Sequence, residues 1–108
     1  PAEPVILPID KKTNAEGNTQ QLSLIVNRSF PDTTSDRTAW QNVEKQLASF
    51  FNISHTDEVL TRAHFYMGQV YFFQGKYKQA FFEFVMAQDM LYSEVQPWFE
   101  RIYPHLAL

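Results

Sequence analysis

From Ser35 onward, apolar residues recur every three or four positions, which is the spacing of one face of an α-helix. The first such segment carries Trp40, Val43 and Leu47 and runs to about residue 52. Ser35 or Asp36 precedes it, and either side chain can accept a hydrogen bond from the unpaired amides of a first helical turn. The pattern therefore predicts a helix that ends near residue 52.

Two further helices are predicted to form an antiparallel hairpin. Residues 54–57 can cap the first of them, and one of its faces carries an apolar stripe: Val59, Leu60, Ala63, Met67, Val70 and Tyr71. Gly75 can end this helix, because glycine adopts the left-handed C-terminal conformation without a Cβ penalty. Gly68 would cost about 1 kcal/mol relative to alanine unless another group approaches closely there. The second hairpin helix is predicted over about residues 77–92.

A fourth helix is predicted near the C-terminus. Residues 93–96 have the spacing of a capping box, and Pro97 is tolerated because first-turn amides have no acceptor within the helix. Pro104 is expected to close this helix. We expect it to cover the end of the hairpin.

The first 34 residues differ in composition from the rest. They contain Pro1, Pro4 and Pro8 and a polar run over residues 10–21. Two apolar islands, residues 5–7 and 22–26, could pair as strands or lie as an arm across a helical body, and we favour the arm. The predicted organisation is an extended or mobile N-terminal arm, residues 1–34, and an all-α domain of about four helices, residues 35–108.

Residues 61–94 carry small and aromatic residues at the places where a packed two-helix repeat needs them: Gly68, Tyr71, Gly75, Ala80, Phe84 and Ala87. This pattern resembles one tetratricopeptide repeat, a helical hairpin that binds other proteins. His64 and Tyr92 depart from the family pattern at the start and the end of the repeat. The resemblance implies a non-enzymatic scaffold or adaptor for protein–protein interaction.

In the resembled family, peptide partners lie against the first helix of each hairpin. The positions implied here are Arg62, Phe65, Gln69, Phe72 and Phe73. Some members bind a C-terminal carboxylate through Lys and Asn, at places where this chain has Phe65 and Gln69, so that mode is not expected. An aromatic groove oriented by Arg62 and Gln69 would suit an apolar or amphipathic segment of a partner. The alternative is that these aromatic side chains are ordinary core residues.

A second apolar stripe lies on the second hairpin helix, where Phe82, Met86 and Met90 follow one another at four-residue spacing. One hairpin cannot cover both stripes. Either the flanking helices and the arm cover this surface, or part of it is an interface with another protein or with another copy, as in a homodimer.

Composition narrows the classes of partner. A net charge of −3 argues against binding to nucleic acid, and the absence of cysteine excludes disulfides and thiolate metal sites. No run approaches the roughly 20 apolar residues of a membrane span. Because the first residue is Pro1, we expect a processed or truncated chain, and the compartment stays open between periplasmic or other extracytoplasmic and cytoplasmic locations.

No catalytic constellation is recognisable. His55, His64 and His105 are far apart, and the chain has no His-Glu-x-x-His motif, no phosphate-binding glycine loop and no nucleophile elbow. We therefore predict no catalytic residue, metal or cofactor. The alternative to a scaffold is a carrier or sensor that holds a small apolar, lipid-like ligand in an aromatic cavity.

Overall fold

The structure is all-α. It is a computed structural model that describes residues 2–11, 17–32 and 34–106. Five α-helices lie in these ranges: α1 (Gly17–Ser29), α2 (Arg37–Phe51), α3 (Asp57–Phe73), α4 (Tyr77–Ala87) and α5 (Tyr92–Leu106). A short 3₁₀-helix, Pro8–Lys11, precedes them, and the described ranges contain no β-strand. The predicted all-α class is confirmed.

Side-chain caps fix the beginnings of α2 and α3. The Asp36 carboxylate accepts a hydrogen bond from the amide of Ala39 at 3.0 Å, and the Thr56 hydroxyl accepts one from the amide of Val59 at 3.3 Å. These bonds satisfy first-turn amides that have no acceptor within the helix. Both helices therefore begin at residues that were predicted to cap them.

The turn between α3 and α4 depends on Gly75, whose φ angle is 77°. The Gly75 amide donates to the carbonyl of Phe72 at 3.0 Å, and the Lys76 amide donates to the carbonyl of Tyr71 at 2.9 Å. This pair of bonds is the Schellman arrangement, which needs a left-handed residue after the helix. The chain consequently reverses at Gly75, and α4 runs antiparallel to α3.

The two hairpin helices pack closely at Gly68. A Cβ atom placed on Gly68 would lie 2.7 Å from carbon atoms of the Phe84 ring, well inside van der Waals contact. Ala80 and Ala87 of α4 are fully buried. The close approach that Gly68 predicted is therefore confirmed.

α3 is the central helix of the fold, because α1, α2, α4 and α5 all contact it. Every residue from Thr61 to Val70 except His64 is buried. At its C-terminal end, the Phe73 ring stacks on Trp40 of α2 at 4.8 Å and meets Trp98 of α5 at 5.8 Å. The hydrophobic core thus surrounds α3 instead of lying against one of its faces.

The N-terminal region differs from the predicted arm. Residues 17–29 form α1, and only residues 2–7 cross α3 without regular secondary structure. Leu22 and Val26, the two ends of a possible strand, lie one helical turn apart and are both fully buried. Their four-residue spacing fits a helix that buries one face. Residues 1, 12–16 and 33 of the predicted arm lie outside the described residues.

Two helix ends also differ from the prediction. α4 ends at Ala87, before the predicted end near residue 92, because the chain reverses so that Trp98 and Phe99 of α5 pack on Phe84. α5 continues through Pro104 to Leu106. A proline near the end of a helix removes one backbone hydrogen bond, and the carbonyl it frees can face water.

Candidate functional site

The face of α3 that the family resemblance indicated as a groove is covered by other parts of the same chain. Arg62, Phe65 and Gln69 are buried, and Phe72 and Phe73 are half-buried. The N-terminal segment and Asp10 contact the polar members, whereas α2, α4 and α5 contact the aromatic ones. The five side chains therefore do not form one open groove.

Gln69 holds the N-terminal segment by its backbone. Its Oε1 accepts a hydrogen bond from the amide of Val5 at 2.7 Å, and its Nε2 donates to the carbonyl of Val5 at 2.9 Å. One side-chain amide thereby satisfies both backbone polar groups of one residue, as a neighbouring strand would. Leu7, two residues on, is buried in the core, and its amide donates to the Tyr66 hydroxyl at 3.1 Å.

Arg62 is paired with Asp10, and both side chains are almost fully buried. The Asp10 carboxylate accepts hydrogen bonds from Arg62 Nε at 3.2 Å, from Arg62 Nη2 at 3.3 Å, from the Ser23 hydroxyl at 2.7 Å and from the Tyr66 hydroxyl. Arg62 also donates to Glu58, one turn earlier on α3. A buried ion pair is tolerated when its remaining polar atoms are satisfied, and this cluster meets that condition.

Tyr66 and Arg62 keep their protonation states over a wide pH range. Burial raises the pKa of Tyr66 far above its ordinary value, and the hydrogen bond to Asp10 and the charge of Asp10 raise it further. Burial alone would lower the pKa of Arg62, but the hydrogen bond to Glu58 and the charges of Asp10 and Glu58 outweigh burial and raise it. Tyr66 therefore stays neutral and Arg62 stays charged. This polar cluster joins α1, α3 and the 3₁₀-helix.

The predicted aromatic residues of α3 form an internal cluster. Phe65 is fully buried and contacts Phe84 edge to face. Phe72 packs against Trp98 at 5.3 Å and against Tyr77 at 5.5 Å, both edge to face. Such contacts join α3 to α4 and α5. In this structure Phe65 is a core residue, and Phe72 and Phe73 are partly covered by neighbouring rings.

α4 and the turn after it carry an exposed apolar surface. We call this surface the α4 face and define it by four residues whose exposed fractions are 56% for Phe82, 42% for Val85, 58% for Met86 and 57% for Met90. Phe82, Met86 and Met90 are the predicted self-association residues. Val85 was missed by four-residue spacing, although it lies three positions after Phe82 and so shares that side of the helix.

A cavity of about 300 Å³ lies between the 3₁₀-helix region, α3 and the start of α5. Leu7, Ile9, Met90 and Leu91 form much of its apolar wall, and Arg62, Glu58 and Glu94 contribute charged groups. The walls of this cavity are aliphatic and charged and contain no aromatic ring. It therefore differs from the aromatic cavity that was predicted for a lipid-like ligand.

The three histidines take part in contacts within the fold. His64 Nδ1 lies 2.9 Å from Glu83 on α4, and its ring packs against Phe51. His55 stacks on Phe50, and His105 stacks on Tyr77. Within residues 2–11, 17–32 and 34–106, no three histidine or acidic side chains converge as a metal site would require.

None of the described helices is both long enough and apolar enough to cross a bilayer. No family model, curated protein or solved structure matches this chain. The resemblance to a tetratricopeptide repeat therefore stays a prediction from the residues of α3 and α4. Two features bear on function: the filled groove on α3 and the open α4 face.

Proposed function

We propose that this chain is a non-enzymatic protein-interaction module that binds an amphipathic helix of a partner along the α4 face. In this proposal α3 and α4 form a hairpin of the tetratricopeptide type, and the binding surface lies on its second helix. The groove on the first helix, at Arg62, Phe65 and Gln69, serves the fold instead.

The observation that carries the proposal is the exposure of Phe82, Val85, Met86 and Met90 along α4 and its following turn. The large rings of Trp40, Trp98, Phe84 and Phe65 are fully or almost fully buried, whereas these four exposed apolar side chains follow one another along α4 and its following turn. Clustered apolar side chains in water are unfavourable by about 25 cal/mol per Å² of exposed apolar area, and such patches commonly mark interaction sites.

The shape of the surface favours a helix as its occupant. The α4 face is a convex strip along one short helix, and another helix can lay its own apolar stripe against such a strip. Phe82 and Met86 stand at its centre. Aromatic residues and methionine are enriched at protein interfaces, and the flexible thioether adapts to the shape of the partner.

The proposal can be tested without knowing the natural partner. A random library of helix-forming peptides is selected against the immobilised protein, and the binding site of each selected peptide is mapped from backbone amide shifts in NMR spectra. We expect shifts to concentrate on α4 and its following turn, and the Phe82→Glu variant to weaken binding at least tenfold. Ile53, which is 49% exposed in the turn after α2, offers a matched control in the variant Ile53→Glu.

Peptides that map to another surface, or that bind Phe82→Glu as tightly as the parent chain, would refute this function. The ligand-carrier alternative makes a different prediction. It expects a small apolar molecule to remain bound in native mass spectrometry and to protect residues around the 300 Å³ cavity, such as Leu7 and Leu91.

A further inference from the structure

We infer that the helix bound along the α4 face is α4 of a second copy of this chain, packed antiparallel about a two-fold axis. This inference rests on the proposed function, because it names the occupant of the same surface. It comes from two charged residues, Lys78 on α4 and Asp89 in the following turn, that form no ion pair within the described part of the chain.

Four residues of α4 and its following turn lie along one line. Lys78, Phe82, Val85 and Asp89 are separated by four, three and four residues, which is the spacing of a helix–helix seam. All four are exposed. Gln88 keeps helical backbone angles of −63° and −38°, so Asp89 continues the line of the helix beyond Ala87.

This spacing reads the same in both directions, and an antiparallel pair uses that symmetry. With the two-fold axis between Phe82 and Val85, Phe82 of each copy faces Val85 of the other. The same register places Lys78 of each copy opposite Asp89 of the other. Apolar contact in the middle and opposite charges at both ends are therefore satisfied by one arrangement.

The charges also discriminate against a parallel pair. A parallel arrangement in the same register would place Lys78 beside Lys78 and Asp89 beside Asp89, and like charges in contact are unfavourable. The helix dipoles favour the antiparallel pair as well, because each positive N-terminus then lies near a negative C-terminus. The orientation thus follows from the residues at the ends of the strip.

Lys78 and Asp89 are available for this role. Neither forms an ion pair with another residue in the part of the chain that the structure describes. The charged residues next to them are used within the fold, since Lys76 pairs with Glu44 and Glu83 contacts His64. Lys78 and Asp89 can therefore pair with residues of a second molecule without breaking a contact of the fold.

The expected dimer is weak. The seam from Lys78 to Asp89 is about 16 Å long at 1.5 Å per residue, and such a strip buries less than the roughly 800 Å² per partner of a standard interface. We expect a dissociation constant in the micromolar range or above. The dimer should therefore depend on protein concentration.

The experiment is sedimentation equilibrium of the purified chain over roughly 5 to 500 µM, a range set around that expected affinity. The mass should rise from the monomer value of 12.7 kDa towards twice that value. Lys78→Glu and Asp89→Lys should each weaken association about tenfold, because each change turns two attractive contacts into repulsive ones. The double variant exchanges the charges and should return to within about threefold of the parent chain.

Controls separate this effect from changes in folding. Lys78→Glu adds a negative charge at the start of α4 and Asp89→Lys adds a positive charge at its end, so both changes suit the helix dipole and should leave helicity intact. Lys45→Glu makes the same charge change at an exposed position of α2 and should not alter association.

Three results would overturn the inference. A monomeric mass at every concentration would remove the second copy as occupant, and the proposed function would still stand if selected peptides mapped to the α4 face. A dimer that tolerates Phe82→Glu would use another surface. A charge-exchanged double variant as weak as the single variants would exclude the antiparallel register.

Discussion

α3 and α4 are the two most apolar helices of the chain, yet the fold treats them differently. α3 is covered on all sides, and the residues that would contact a peptide in the resembled family contact Val5, Asp10 and neighbouring rings instead. α4 is covered by α3 and α5 and keeps one apolar side open. Apolar content alone therefore does not identify a binding surface. What matters is which side of the helix other elements leave uncovered.

The largest effect expected from this comparison comes from two phenylalanines. Phe65→Ala on α3 should lower the free energy of unfolding by about 3 to 5 kcal/mol, because it opens a cavity in a fully buried site. Phe82→Ala on α4 should change it by less than about 0.5 kcal/mol. Urea denaturation of both variants measures the difference. Similar losses at the two sites would show that α4 is covered as fully as α3.

The packing of the N-terminal region over α3 can be disrupted by a substitution at Asp10. Asp10→Ala should destabilise the fold by about 3 kcal/mol, since it leaves the buried Arg62 guanidinium with Glu58 alone as its acidic partner. The measurement is again urea denaturation, and Asp32→Ala at an exposed position is the control. Equal stability of the two variants would mean that the Asp10 cluster does not hold the N-terminal region in place.

The contact between the two helices is tested at Gly68. Gly68→Ala should destabilise the fold by about 1 to 3 kcal/mol, because the added methyl group would overlap the buried Phe84 ring. Alanine would otherwise stabilise a helix by about 1 kcal/mol relative to glycine, so the sign of the change decides between overlap and propensity. A rise in melting temperature would contradict the close packing of α3 and α4.

The smallest expected effect is a pH dependence of the free energy of unfolding, and it arises from α3 alone. The pKa of Tyr66 is raised in the folded state above its ordinary value of 10.0. Above pH 10 the unfolded chain releases a proton that the folded chain keeps, so the free energy of unfolding falls as pH rises. We expect Tyr66 to contribute a fall of about 1 kcal/mol between pH 10 and pH 11.

The variant Tyr66→Phe should show a shallower alkaline slope in the same denaturation experiments. Tyr103→Phe changes an exposed tyrosine on α5 and should keep the slope of the parent chain. Burial also raises the pKa of Tyr71, so part of the slope should remain in Tyr66→Phe. An unchanged slope in that variant would contradict the burial of the Tyr66 hydroxyl.

Several elements of the fold could be predicted because the signal was local. Asp36 and Thr56 cap helices through contacts within three residues, and Gly75 ends α3 through its own backbone conformation. The end of α4 could not be predicted in the same way. It depends on α5 folding back on Phe84, a contact between residues far apart in sequence.

The residues of the candidate site also differ in whether a local signal could predict them. Phe82, Met86 and Met90 were recognisable from their spacing, and they are exposed. Asp10 gave no signal, because a single carboxylate in a polar, proline-containing region is typical of a surface loop. Its partners Ser23, Arg62 and Tyr66 come from two helices, and only their convergence makes it a buried acceptor.

The sequence alone determined the all-α class, the capped beginnings of α2 and α3 and the hairpin turn at Gly75, because these depend on backbone conformation and on neighbours within a few residues. It also indicated a close approach at Gly68, because a glycine inside a helix is unfavourable unless another group packs against it. The tertiary structure decided which apolar faces are covered, because burial depends on where distant segments lie. Residues 2–11 and α1 cover α3, and no described element covers Phe82, Val85 and Met86. That difference selects α4 as the surface on which we expect a second chain to bind.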